Sequence, residues 1–300
     1  MPEFIAAPWS RLPPIMRGII LMTVSTLLFS SMHAAIRALS SELSPLQLAF
    51  FRNFFGLLVF LPIAARTRFG FLSTNRLGLH GVRALLNVAA MLLFFTALSM
   101  TPIARVTALS FTSPLFMAVI SVFLLGEVMR VRRWAATIIG FVGALVIIRP
   151  GVTQIDTGSL MVLISAATWA VCMGVIKILG RTESSLTITG YSNLMMSVLS
   201  LIPAIFVWQN PEPWVWFWLV FIGVVGTIGQ IGVAEALRIT EATAIMPFDF
   251  LKLIWAAALG YILFAEQPDQ YTWIGAAIIF SSGMYIAYRE SQINRQKKTK

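Results

Sequence analysis

Ten apolar stretches of near-membrane length divide this chain, with only short links between them. They run approximately from Gly18 to Ala38, Pro45 to Ala65, Leu79 to Met100, Ile103 to Leu125 and Trp134 to Ile148. The second half continues with Gly158 to Leu179, Leu186 to Trp208, Trp214 to Leu237, Thr243 to Ala265 and Trp273 to Tyr288. A helix needs about 20 apolar residues to cross the hydrocarbon core of a bilayer. Backbone groups there find no water to bond, so spans of this kind must be helical. The expected fold class is an all-α membrane protein with ten transmembrane helices. The third and fourth spans nearly touch, so one of them is expected to be short or tilted. Only 11% of the residues are charged, against roughly 25% in a soluble domain, which excludes a globular enzyme built on a soluble core.

The N-terminal run could imitate a signal peptide, because Arg11 and Arg17 precede it and Ser30, Ser31, Ala34 and Ala35 close it. Its length and the nine similar runs that follow make it a first transmembrane helix instead. Cys172 is the single cysteine, so no internal disulfide and no thiolate metal site is expected. His33 and His80 lack ligand-like spacing, and no cofactor is expected. His33 lies one turn before Arg37 and reads as an ordinary residue near the outer surface.

Charge orients the spans. With a cytoplasmic N-terminus, seventeen of the 22 Lys and Arg residues fall on cytoplasmic segments, and Arg37, Arg105 and Arg149 fall outside. Arg52 and Lys252 lie within spans. This asymmetry matches the positive-inside rule and places both termini in the cytoplasm. The net charge of +10 then needs no nucleic acid. The basic tail, 289–300, is a topology determinant beside anionic headgroups, so the expected macroscopic partner is membrane lipid.

The ninth span, TAIMPFDFLKLIWAAALGYILFAE, carries Asp249 and Lys252 inside its apolar run. A charge at mid-bilayer costs on the order of 2.5–3.5 kcal/mol on insertion scales, so it normally faces a protein interior or a wet cavity. The two residues are three apart and share a helix face. Counting from the cytoplasmic end, Asp249 lies about 9 Å in and Lys252 about 13 Å in. They read either as a substrate contact or coupling site, or as an ion pair that neutralises itself within the bundle.

Sliding the chain on itself reveals a repeat. At an offset of 140, Gly18, Ser25, Ile36 and Leu39 meet Gly158, Ser165, Ile176 and Leu179. Phe29 meets Trp169, Arg37 meets Lys177 and Asn53 meets Asn193. At 139, Ala97, Leu98 and Thr101 meet Ala236, Leu237 and Thr240, Glu127 meets Glu266, and Trp134 meets Trp273. Each half, 18–150 and 151–288, holds five spans. An odd number inverts the second half relative to the first, and such repeats supply two equivalent conformations for alternating access. At the same offset Asp249 and Lys252 meet Ser110 and Ser113, so the charge pair belongs to one half only.

The motif LLGEVMRVRRWAATIIGFVGALVIIRPG and its counterpart LFAEQPDQYTWIGAAIIFSSGMYIAY make the chain resemble the drug/metabolite transporter superfamily, and within it the EamA-type ten-helix transporters. The resemblance covers nearly the whole chain and implies two inverted five-helix repeats around a central cavity. It implies substrates among amino acids and their derivatives, sugars, nucleotide-like metabolites, vitamins and drugs. Ala265 departs from the pattern, in which Gly often precedes the Glu. PFDFLKLIWAAALGYILFAEQPDQYTWIGA resembles members described as riboflavin or S-adenosylmethionine transporters.

Other residues are candidates with two readings each. Arg52, about 10 Å from the outer surface, could bind an anion or pack between helices. Asn53 and Asn193 could face one cavity or join the repeats by hydrogen bonds. Phe29, Trp169, Tyr191, Phe250 and Trp255 could wall a flat aromatic substrate or face lipid. Pro114 and Pro247 each free a carbonyl and permit a hinge. Glu127 and Glu266, at opposite faces, read as capping or gate-stabilising groups. Gly223, Gly226, Gly229 and Gly232 read as a close-packing face, or as backbone lining a cleft.

The expected function is a secondary transporter of the bacterial inner membrane that moves a small polar or amphipathic metabolite by alternating access. Asp249 is the candidate proton carrier, with protons then a coupling partner. Facilitated diffusion or exchange would need none. The rival classes are a membrane-embedded enzyme, which should show a nucleophile–base set or a ligand cluster, and a non-transporting sensor, which should carry an output domain.

Overall fold

The computed structural model describes residues 12–66, 74–126, 129, 131–151, 156–183, 185–240 and 242–298. Twelve helices occur among them: α1 (Pro14–Leu39), α2 (Pro45–Arg66), α3 (Leu77–Met100), α4 (Ile103–Ser110), α5 (Ser113–Leu125) and α6 (Val131–Ile148), then α7 (Thr157–Leu179), α8 (Ser185–Phe206), α9 (Val215–Ile239), α10 (Ala242–Asp249), α11 (Leu251–Phe264) and α12 (Gln270–Lys298). No β-strand occurs among the described residues. Eight segments are long and apolar enough to cross a membrane. The protein is a multi-pass membrane protein. The stretch Pro45–Val59 in α2 is shorter, and α12 continues as helix into the basic tail. The tail expected as a separate segment at 289–300 is therefore helical as far as Lys298.

Local chemistry sets the helix limits. Pro14 and Pro114 occupy first-turn positions, where a missing N–H costs nothing. Asp156 caps α7 by accepting from the N–H groups of Gly158 and Ser159. Gly126 ends α5 at φ 66° and Ala265 ends α11 at φ 54°. These two positions are 139 apart, so both halves close this helix through the left-handed region. The Cβ of Ala265 makes that conformation cost about 1–2 kcal/mol, whereas Gly126 adopts it freely.

The fourth and ninth spans are each split. One breaks at Phe111 and Thr112, between α4 and α5, and the other at Phe250, between α10 and α11. The fourth, not the third, is thus the irregular member of the pair that nearly touches. Phe111 and Phe250 are again 139 apart. The backbone there tightens into i→i+3 bonds, from Thr112 N–H to Leu109 O at 3.0 Å and from Leu253 N–H to Phe250 O at 3.0 Å. Such a stretch inside a span is a usual hinge. Pro114 lies two residues after one break and Pro247 three before the other.

Long-range packing joins the halves rather than separating them. Helix α1 lies on α9 and α11, α3 on α7, α2 on α8 and α9, α5 on α7, and α6 on α12. A methyl group on Gly143 would come 2.8 Å from the carbonyl oxygen of Gly275, so α6 and α12 approach backbone to backbone. Gly223 likewise packs on Gly56, with its would-be methyl 3.1 Å from that backbone nitrogen. The α9 glycines serve close packing, the main attraction between helices where lipid is as apolar as the side chains.

Candidate functional site

The two breaks face one cavity of about 550 Å³, within the range that holds small ligands. Helix α1 contributes Phe29 and His33, α3 contributes Asn87, Met91 and Phe94, and the fourth span contributes Ser110, Phe111, Ser113, Pro114 and Met117. Helix α7 adds Ser165, Trp169 and Met173, and the ninth span adds Asp249 and Lys252. Four pairs of repeat mates meet here: Phe29 with Trp169, His33 with Met173, Ser110 with Asp249, and Ser113 with Lys252. The cavity therefore lies between the two halves of the chain.

Asp249 ends α10 and Lys252 lies in the first turn of α11, so their pair bridges the break. Lys252 Nζ lies 2.7 Å from Asp249 Oδ1, with 21% and 27% of the two side chains exposed. The ammonium also sits 5.7 Å from the Phe29 ring centroid, a cation–π contact. Ser30 Oγ donates to the Lys252 carbonyl at 3.0 Å, tying α1 to the break. The cavity wall thus presents a donor and an acceptor with no net charge, beside aromatic faces. A second cavity of about 180 Å³ shares Phe111, Pro114, Met117 and Asp249 and continues to Arg133 and Ala287.

At the other end, ion pairs and hydrogen bonds tie the helices together. Arg37, near the end of α1, pairs with Glu266 at 2.8 Å and donates to the Leu98 carbonyl at 2.8 Å. Glu266 accepts the Ile103 N–H at 2.9 Å and so caps α4. Asp269 pairs with Arg149 and lies 3.6 Å from Arg105. It also accepts from Thr272 N–H at 2.8 Å. Burial pushes the Asp269 carboxyl up, but the Thr272 hydrogen bonds and the two guanidiniums outweigh it and hold the group below the usual carboxylate range. Asp156 behaves alike: burial opposes ionisation, while bonds from Thr101, Ser159 and Gly158 prevail and lower it. Glu127 lies outside the described residues.

Several expected residues stand away from the cavity. Arg52 donates to Asn53 Oδ1 at 3.0 Å and packs beside Gly226 of α9. Asn53 donates to Ser200 Oγ at 3.1 Å and accepts from Ser197 Oγ through its backbone, so it joins α2 to α8. The Asn193 carbonyl accepts from Ser197 Oγ at 2.8 Å in the same seam. Tyr191 stacks on His80 at 4.7 Å. Phe250 stacks on Phe111 at 5.8 Å and meets Phe280 at 4.5 Å, behind the wall. The indole Nε1 of Trp255 is buried without a hydrogen-bond partner among the described residues. None of these six residues lines the cavity.

His33 reverses its expected place. Helix α1 runs six residues past it, to Leu39, which sets His33 about 9 Å inside the helix end. It follows Phe29 by four residues, so one face carries both. Asn87, passed over in the sequence, shares a face with Met91 and Phe94 at helical spacing, and a lone amide inside an apolar span was its signal.

Comparison with known proteins agrees with this architecture. The EamA-like transporter family matches residues 16–149 and 156–288. An S-adenosylmethionine uptake transporter of Rickettsia prowazekii is 30% identical over 277 residues, covering 92% of this chain and 94% of its own. A riboflavin transporter of Vibrio cholerae is 33% identical over 229 residues, covering 76% and 77%. A crystal structure at 19% identity covers 90% of this chain and 96% of its own with a TM-score of 0.59, a shared fold. These relatives are transporters rather than enzymes, and by the two matched segments the chain belongs to the EamA-like transporter family.

Proposed function

We propose that the chain is a secondary transporter that carries a small polar or amphipathic metabolite through the cavity at Asp249 and Lys252 by alternating access. The proposed frame is ten spans in two inverted five-helix units, 18–150 and 151–288, in a bacterial inner membrane with both termini cytoplasmic. S-adenosylmethionine and riboflavin, the compounds named for its relatives, define the substrate range to test first.

The observation that carries the reading is a contact that fails to repeat. Exchanging the halves turns α1 on α9 into α7 on α3, and α1 on α11 into α7 on α5, and both partners of each exchange are packed. Helix α4 also packs on α11. Its exchanged counterpart, α5 on α10, is not a packed pair among the described residues. The second cavity lies there, between Met117 of α5 and Asp249 of α10. One end is thus closed by the contact that the other end lacks. With the orientation set by the positive residues, the closed end faces outward and the cavity extends toward the cytoplasm. Forming α5 on α10 while parting α4 from α11 would reverse the access.

Uptake of labelled S-adenosylmethionine and riboflavin into proteoliposomes, with and without a pH gradient, tests this. Saturable uptake of either is expected. If neither compound moved, nor any member of a broad metabolite panel, the reading would fail.

A further inference from the structure

The charge pair accounts for one part of the cavity wall and leaves another unexplained. His33 faces the same space from α1, and its ring lies 5.0 Å from Phe94 at a 55° tilt. Its Nδ1 is buried without a hydrogen-bond partner among the described residues. An imidazole that only filled space would be better replaced by an apolar side chain, and the mate position in the other half is the apolar Met173. Asn87, 9% exposed, brings a carboxamide to the same cavity from α3. A buried polar group left without a partner loses far more than a satisfied one gains. His33 Nδ1 is such a group, and with the Asn87 carboxamide lining the same space it fits a ligand that satisfies it.

We propose that His33 is a substrate-contacting, specificity-determining residue which, with Asn87, hydrogen-bonds the edge of a flat nitrogen heterocycle. This rests on the transport reading above. An imidazole offers one donor and one acceptor, and a carboxamide offers both. Together they match the mixed donor and acceptor edge of a heterocyclic base. Phe29 and Trp169 supply aromatic surface for its faces. Asp249 and Lys252, at 2.7 Å from each other, would take a charged or zwitterionic appendage by exchanging their mutual bond for two bonds of the same sign pattern. The cavity therefore reads a substrate in two parts, a heterocycle at His33 and Asn87 and a polar arm at the break.

Two variants on different helices test the assignment. His33→Phe keeps a ring against Phe94 and removes both nitrogens; Asn87→Leu keeps volume and removes the amide. Full-length protein in proteoliposomes is assayed with labelled S-adenosylmethionine and labelled riboflavin as probes, and folding is checked by size-exclusion profile. For the probe that the wild type moves, each variant should raise the half-saturation concentration about tenfold, the scale of one hydrogen bond lost from a closed site, with the maximal rate changed less than twofold. Half-saturation within twofold of wild type in both variants overturns the assignment while leaving the transport reading intact. A fall in maximal rate at unchanged half-saturation also overturns it, because that marks a part in the motion rather than in binding. A wild type that moves neither probe, nor any heterocycle in a wider panel, overturns the assignment, and the transport reading falls with it only when no member of a broad metabolite panel moves.

Discussion

Asp249 and Lys252 stand on opposite sides of a helix break and hold it closed with a 2.7 Å ion pair. Removing one partner leaves the other charge in the cavity unpaired. A fully buried pair broken in this way costs about 3–5 kcal/mol. Solvent in the cavity screens this one, so about 1–2 kcal/mol is the expected loss. Asp249→Asn and Lys252→Met should each lower the melting temperature in detergent, and the double variant should recover part of the loss. Each single variant should also reduce transport on the order of tenfold, equivalent to ~1.4 kcal/mol. Normal transport by both would give the pair a structural role only.

Glu266 links the closed end through Arg37 and the Ile103 N–H. Glu266→Gln keeps the shape and weakens both bonds. A hydrogen bond to a charged group is worth ~1.5–3 kcal/mol, so amide exchange at the start of α4 should quicken about tenfold. Hydrogen–deuterium exchange on the peptide holding Ile103 measures this. Unchanged exchange there, with the protein folded, would show that Glu266 does not hold α4.

Ala265 adopts φ 54° where its mate Gly126 adopts φ 66°. Ala265→Gly removes the Cβ from a left-handed residue and should stabilise the protein by about 1 kcal/mol. Gly126→Ala should destabilise by a similar amount. Melting temperatures that move the other way would place Ala265 in a different backbone conformation.

Asp156 and Asp269 both titrate below their ordinary value of 3.8 in the folded protein. A carboxyl depressed by folding contributes stability that is present in full above its unfolded value. That contribution disappears as pH falls through the lower folded value. Thermal stability in detergent should therefore hold down to about pH 4 and decline below it. Asp269→Asn should flatten part of that decline. A decline of equal size in the variant would assign the acid sensitivity elsewhere.

The sequence shows depth along a helix more readily than direction around it. Asp249, Lys252, Phe29 and Trp169 line one cavity, and each was marked by a charge or by a repeat mate. Arg52 and Asn53 had comparable marks, yet they face the seam of α2 with α8 and α9. Nothing in a single chain sets that azimuth, because lipid and protein demand the same apolar neighbours on either side. His33 was legible from its four-residue spacing to Phe29 and was misplaced only because Arg37 drew it toward the surface. The helix breaks were signalled by Pro114 and Pro247, and they fall at Phe111–Thr112, in the turn that Pro114 disrupts, and at Phe250, three residues after Pro247. The tenth apolar stretch ends near Tyr288, but α12 continues as helix to Lys298.

Access to the cavity from both sides is the central claim, and one cysteine can report it. Cys172 is buried, and Cys172→Ala gives a background in which Ser113→Cys places a single thiol in the cavity wall. The protein is reconstituted in oriented proteoliposomes, and a membrane-impermeant thiol reagent is applied to each side in turn, with and without the transported compound. The thiol should react from both sides, faster from the cytoplasmic side, and the compound should slow both reactions. Labelling from one side alone under every condition, or labelling that the transported compound never slows, would contradict alternating access at this cavity.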